Sequence, residues 1–262
     1  MFATAYRGCA RQPQYPAPLN RANPLTKDIA FAWHAGAPEI VRENTPRNFA
    51  DGPHVPKFAT TINLKSGAGP RGRAVVGTAG TKTIEWANYQ PLTSSNLSTF
   101  DGDTTIAVLA APDSDSALYG YLVGQNNNTN PAPYIQCEIL ANSQLAVATA
   151  GWIDWLTYDA VGNGVDLSVA GKCDGKWHLW VGVNWGTLHY LYQDGVQIGY
   201  QEHMAQRHIQ NEEQYLAVGG QGNSTTGAAA IPIAWAAGWN RMLTPAEVIS
   251  LSENPYQIFV GR

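Results

Sequence analysis

Apolar side chains recur at every second position along much of this chain, the period of a β-strand with one face buried. Ile29, Phe31 and Trp33 alternate with Ala and His, which predicts a half-buried strand starting near Asp28. Thr104 to Ala110 is continuously apolar and bounded by Asp101-Gly102-Asp103 and Pro112-Asp113, so it reads as a core strand. A further apolar run, Ala74-Val75-Val76, follows Gly69-Pro70-Arg71-Gly72. Tyr119 to Val123 and Tyr134 to Leu140 flank the polar stretch Gln125 to Asn130, predicting a hairpin with a long exposed loop.

The clearest local code lies between Asp174 and Gly199. After the Asp174-Gly175 turn, Leu179, Val181, Val183 and Trp185 fall on one face of a strand. A tight turn near Gly186 leads to Leu188, Tyr190 and Tyr192, and the type I′ signal Asp194-Gly195 precedes Val196 and Ile198. These are three antiparallel strands of a meander. One helix is predicted near the end: Thr244 as N-cap, Pro245 at N1 and Glu247 at N3 form a capping box, and Leu243 with Val248 a hydrophobic staple. Asn254-Pro255 stops it after about two turns.

Composition agrees with a many-stranded protein. Charged residues are only 14 % of the 262 positions, aromatics are 10 %, and the 26 Gly and 16 Pro are dispersed. A chain of this length suits one sandwich of about 200–250 residues with a short arm. Residues 1–22, rich in Arg, Gln and Pro, read as that extended arm, and 23–262 as the domain. Tyr6, Arg7, Arg11 and Tyr15 are its candidate docking residues against a neighbouring subunit or partner. The net charge is −4 with no basic run, which argues against a nucleic-acid partner. Cys9, Cys137 and Cys173 form no CxxC and are odd in number, as expected of reduced thiols. The first residues lack the apolar core of a signal peptide, and no run approaches a membrane span, so neither secretion by the usual route nor membrane insertion is expected.

Motifs for chemistry are sparse. Gly67-Ala68-Gly69-Pro70-Arg71-Gly72 satisfies GxGxxG, but Pro70 inside it and β-like residues after it predict a loop, not a dinucleotide site. His203 and His208 lack a carboxylate at ligand spacing. The sequence contains no HExxH, GxSxG or Walker motif. No cofactor is implied. Trp152, Trp155 and Tyr158 stand beside Asp154 and Asp159, a setting in which aromatic faces stack on sugars or anchor a partner. Strand alternation puts Trp152 and Asp154 on one face and Trp155 on the other, so core filling is the competing role. Trp177, Trp180, Trp235 and Trp239 are read as core.

The order Asp174-Gly175-Lys176-Trp177-His178, Tyr192-Gln193-Asp194-Gly195, Leu216-Ala217-Val218-Gly219-Gly220 and Ala237-Gly238-Trp239-Asn240-Arg241-Met242-Leu243-Thr244-Pro245 resembles the concanavalin A-like, laminin-G-like superfamily. The resemblance spans roughly residues 170–256 and extends loosely over 24–170. It implies an all-β, two-sheet antiparallel jelly-roll sandwich closed by one short C-terminal helix. Asn23-Pro24-Leu25-Thr26 with Ile29 to Trp33, and Asn254-Pro255-Tyr256-Gln257-Ile258-Phe259, are similar to a subgroup common in tailed bacteriophages.

That resemblance implies a non-enzymatic virion structural protein, assembled in the host cytoplasm as a homo-oligomer and docked on capsid or tail proteins. The alternative is an adhesin recognising host surface glycans, with a polysaccharide depolymerase ranked behind both. The glucanases of the superfamily carry Glu-x-Asp-x-(x)-Glu, which sets two carboxylates about 5 Å apart on one strand face. This sequence contains no such motif. Many laminin-G-like domains hold calcium at one rim, and Asp101 with Asp103 are the residues that fit, against the competing role of a tight turn.

Overall fold

The computed structural model describes residues 12–13, 17–36, 50, 57–58, 63–69, 72–76, 84–86, 103–112, 120–127, 137–142, 151–158, 164–202, 214–219 and 231–260. In chain order its strands are β1 (Ile29–His34), β2 (Lys57–Phe58), β3 (Asn63–Gly69), β4 (Gly72–Val76), β5 (Ile84–Trp86), β6 (Thr104–Ala110), β7 (Gly120–Asn127) and β8 (Cys137–Asn142). They continue with β9 (Gly151–Tyr158), β10 (Gly164–Cys173), β11 (His178–Trp185), β12 (Leu188–Gln193), β13 (Val196–Glu202), β14 (Gln214–Val218) and β15 (Pro232–Trp239). One helix, α1 (Pro245–Glu253), follows the last strand.

The strands form two antiparallel sheets. The first runs β13-β12-β11-β6-β15-β4-β3, with β1 also paired to β15; the second runs β10-β9-β8-β7-β14-β5-β2. Their faces can be told apart at Gly199. A side chain there would meet Val169 at 3.0 Å and Leu167 at 3.1 Å, both on β10 of the other sheet. Gly199 pairs with Leu191, and Leu191 with Gly182, so these positions line the inner face, toward the second sheet. Residues of both sheets share one core, in which Trp180, Phe31, Trp33, Leu122, Val123 and Ile153 are buried. The chain is therefore an all-β sandwich with one short helix.

The outer face of the first sheet is covered too. Tyr192, Val181, Ala107 and Ala237 lie across from one another along that face. Leu243, Val248, Leu251, Tyr256, Ile258 and Phe259 join the same buried cluster. The helix starts as the sequence predicts: Thr244 accepts from the Glu247 N–H, and the Glu247 carboxylate accepts from the Thr244 N–H. The N-terminal side completes the cover. Ala17 and Leu19 are buried, Leu19 bridges Phe259, and the Val260 N–H donates to Pro18. Gln12 donates to the Ala234 carbonyl, so described parts of the segment expected as an arm lie on the domain itself. Tyr6, Arg7, Arg11 and Tyr15 fall outside the described residues.

Three elements differ from the sequence expectation. The strand β1 is buried on both faces from Phe31 to His34, because the chain termini cover the side an isolated sheet would leave to water. Strand β7 runs on to Asn127, so the polar Gln125, Asn126 and Asn127 belong to the ladder with β14 and not to a loop. The GxGxxG stretch lies in the β3–β4 hairpin, with Gly69 opposite Gly72, rather than in a free loop. No helix among the described residues is long and apolar enough to cross a membrane.

Candidate binding surface

The meander β11–β12–β13 builds the surface that stands out chemically. At the β11–β12 turn Gly186 takes a φ of +56°, a region where glycine is favoured. Its N–H donates to the Asp103 carboxylate at 3.0 Å, which anchors the turn to the start of β6. At the other end Asp194 and Gly195 have φ values of +51° and +84°, as a type I′ hairpin requires. Both turns keep the register tight. Trp185 pairs with Leu188, Val183 with Tyr190, Tyr190 with Tyr200, and Leu188 with Glu202. All these residues therefore share the outer face of the first sheet, next to its β13 edge.

The helix α1 approaches the meander at its other turn, where a side chain at Gly195 would meet Ile249 and Ser252. Tyr192, one pair nearer the helix, is 4 % exposed, whereas Trp185 and Tyr200 are each 50 % exposed and Leu188 and Tyr190 are half-buried. The Tyr190 and Tyr200 rings lie 5.3 Å apart at 40°, and Tyr190 lies 6.4 Å from Tyr192. The result is a continuous aromatic floor with one indole beside it. Desolvation, and secondarily the Tyr200 hydroxyl, raises the Tyr190 phenol above its ordinary range; Tyr192 is raised by burial and then by Tyr190. These phenols stay protonated at neutral pH and offer both a donor and an acceptor.

The charged groups around this floor are specific. Glu202 is exposed at its rim. Arg241, on the segment that follows β15, uses every N–H it has. Its Nε donates to Lys27, one terminal nitrogen to Met242 and Glu247, and the other to Pro24 and Glu247 at 2.8–3.5 Å. The basic residues Lys176 and His178 stand at the far end of β11, where His178 lies between Asp174 at 3.2 Å and Asp194 at 2.5 Å.

The residues singled out in the sequence are placed elsewhere. Trp152, Trp155 and Tyr158 lie on β9 in the second sheet. There Trp155 pairs with Leu167 on β10. Trp152 pairs with Asn142 on β8 and Tyr158 with Gly164 on β10. Asp103 is committed to the Gly186 turn, and Asp101 lies outside the described residues. Among the described residues no three His, Cys, Asp or Glu side chains converge as metal ligands. Trp180, Trp235 and Trp239 are fully buried and Trp177 is half-buried. Trp185 was legible as a strand position but not as an exposed one: its face is the face of the buried Val181 and Val183. The usable signal was the polar make-up of the neighbouring strand, Val196 to Glu202, which marks a sheet edge.

No protein-family model and no curated protein matches this sequence. Solved structures do. The binding domain of Paraclostridial Mosquitocidal Protein 1 superposes with a TM-score of 0.59 at 15 % identity, over 87 % of this chain and 52 % of that one. The receptor binding domain of botulinum neurotoxin D gives 0.59 at 11 % identity, over 87 % and 53 %. A ligand binding domain of botulinum neurotoxin serotype D, solved in complex with N-acetylneuraminic acid, gives 0.58 at 9 % identity, over 86 % and 50 %. The likeness is one of fold. The chain spans about half the length of each of these domains.

Proposed function

We propose that this chain is a non-catalytic binding module that recognises a glycan on a cell surface through the Trp185–Tyr190–Tyr200 face. The observation that carries the reading is the aromatic floor itself: large, partly exposed rings side by side on one sheet face, next to hydroxyls and a carboxylate. Aromatic faces cover the C–H-rich side of a sugar ring, and fixed polar groups at the rim order its hydroxyls. Two further facts support it. The fold is shared with binding domains of toxins, one of them solved with a bound sugar. The sequence also lacks the Glu-x-Asp-x-(x)-Glu motif carried by the glucanases of the superfamily it resembles.

A glycan array probed with the chain and with its Trp185→Ala and Tyr200→Ala variants tests this. Signals above background that vanish in both variants are expected. An array without hits, or hits that both variants keep, would overturn the reading.

A second reading, a jelly-roll subunit of a bacteriophage virion bound to capsid or tail proteins, rests on the resemblance of residues 23–33 and 254–259. These two segments do meet in the fold, where the Asn23 side chain donates to the Gln257 carbonyl. The structural neighbours add nothing to it. It predicts assembly into particles without any sugar, and the array separates it from the first.

A further inference from the structure

We infer that the Trp185–Tyr190–Tyr200 floor takes a linear run of two or more pyranoses, one on the Trp185 indole and another on the Tyr190–Tyr200 pair, and not a single sugar. This rests on the glycan reading and narrows its ligand class. The argument is one of spacing. Val183, Tyr190 and Tyr200 form one row across β11, β12 and β13, and Trp185, Leu188 and Glu202 form the next. Neighbouring strands lie about 5 Å apart and same-face residues along a strand about 7 Å, so the Trp185 backbone stands about 10 Å from the middle of the tyrosine pair. The ring of a pyranose is about the size of a phenol ring. One sugar therefore covers the tyrosines or the indole but not both, whereas a chain of sugars covers both at once.

The ground between the two contacts is apolar and their separation is fixed. Leu188 pairs with Trp185 and lies two positions from Tyr190 on the same strand face, so the glycosidic linkage crosses a half-buried aliphatic side chain. Trp185 and Tyr200, at the two extremes, are each 50 % exposed, and the Tyr190 and Tyr200 rings lie 5.3 Å apart as one surface. The β11–β12 ladder runs in register from Trp180 to Trp185, and the Asp103 carboxylate holds the Gly186 N–H just beyond it at 3.0 Å. Once one sugar is seated, the second contact is intramolecular, and a fixed separation keeps its effective concentration high. Binding then tightens with chain length until both contacts are filled, and levels off afterwards.

Isothermal titration with malto-, cello- and N-acetylchito-oligosaccharides, each from the monosaccharide to the hexasaccharide, tests this. In at least one series, binding is expected to tighten about tenfold or more from the monosaccharide to the tetrasaccharide and to change little beyond it. Trp185→Ala and Tyr200→Ala each remove that gain. Trp185→Phe, which keeps an aromatic face, retains most of it, which separates loss of the contact from loss of the fold. A monosaccharide that binds as tightly as its hexasaccharide overturns the inference while leaving the glycan reading standing. If no sugar of the three series binds, or both alanine variants bind as the native chain does, the glycan reading fails and this inference fails with it.

Discussion

Leu19 and Phe259 face each other in an antiparallel bridge that joins the two ends of the described chain. Around it the Asn20 N–H donates to Ile258 at 2.7 Å and the Val260 N–H to Pro18 at 2.9 Å. Both side chains are buried, so the ends of the chain act as one layer over the first sheet.

Removing residues 1–20 therefore destabilises the domain. The loss of Ala17 and Leu19 uncovers Ile258 and Phe259, worth about 2–4 kcal/mol of apolar burial. For a domain of this size that lowers Tm by roughly 10 °C. Differential scanning calorimetry of the shortened chain checks it. An unchanged Tm would show that the bridge contributes nothing.

Arg241 and Glu247 clasp the start of α1 to the Pro24–Lys27 turn. Burial pushes the Glu247 carboxyl up, but hydrogen bonds from Arg241 and Thr244 together hold it below the ordinary glutamate value. Because the folded value is depressed, the stabilisation is present above the unfolded value and is lost as pH falls through the folded one. Arg241→Ala is expected to cost about 1–3 kcal/mol at pH 7 in urea unfolding. Arg241→Lys recovers little of it, since an ammonium cannot make the paired contact.

Gly199 fixes how closely the sheets approach. A methyl group there stands 3.0 Å from Val169 and 3.1 Å from Leu167, so Gly199→Ala forces the two strands apart or shifts both side chains. A cost of about 1–3 kcal/mol is expected, with a larger one for Gly199→Val. Equal stability of all three proteins in chemical denaturation would mean that the sheets are not stacked as described.

His34 is fully buried, accepts from the Gly36 N–H and meets Phe259 edge-on at 4.9 Å. Burial lowers its pKa from 6.5 to about 3. The unfolded chain then binds a proton that the folded chain refuses between pH 6.5 and about 3. Stability falls across that window as the solution is acidified, by up to about 1.4 kcal/mol per pH unit from this one group. His34→Asn is expected to flatten the slope between pH 6 and 4. A slope identical to that of the native chain would remove His34 as its source.

Much of this fold was legible because local rules agreed with tertiary ones. The Asp194-Gly195 hairpin, the Thr244–Glu247 capping box and the Thr104–Ala110 core strand all appear where short-range chemistry places them. What stayed hidden depends on long-range cover. Nothing near Phe31 announces that Leu19 and Phe259 will close over its sheet. Likewise nothing near Trp185 says that Tyr192 will be buried while Trp185 and Tyr200 stay half exposed. Exposure of an aromatic on a strand depends on what the rest of the chain lays over it, which a period of two cannot report.

A sugar held on the outer face of the first sheet stands beside Trp185. Fluorine NMR of the chain labelled with 5-fluorotryptophan tests it directly, with the Trp185 resonance assigned as the one missing in Trp185→Phe. On titration with a bound oligosaccharide, that resonance is predicted to shift while those of Trp180, Trp235 and Trp239 stay in place. A shift confined to Trp152 or Trp155, with Trp185 unmoved, would place the ligand on the second sheet and contradict the account.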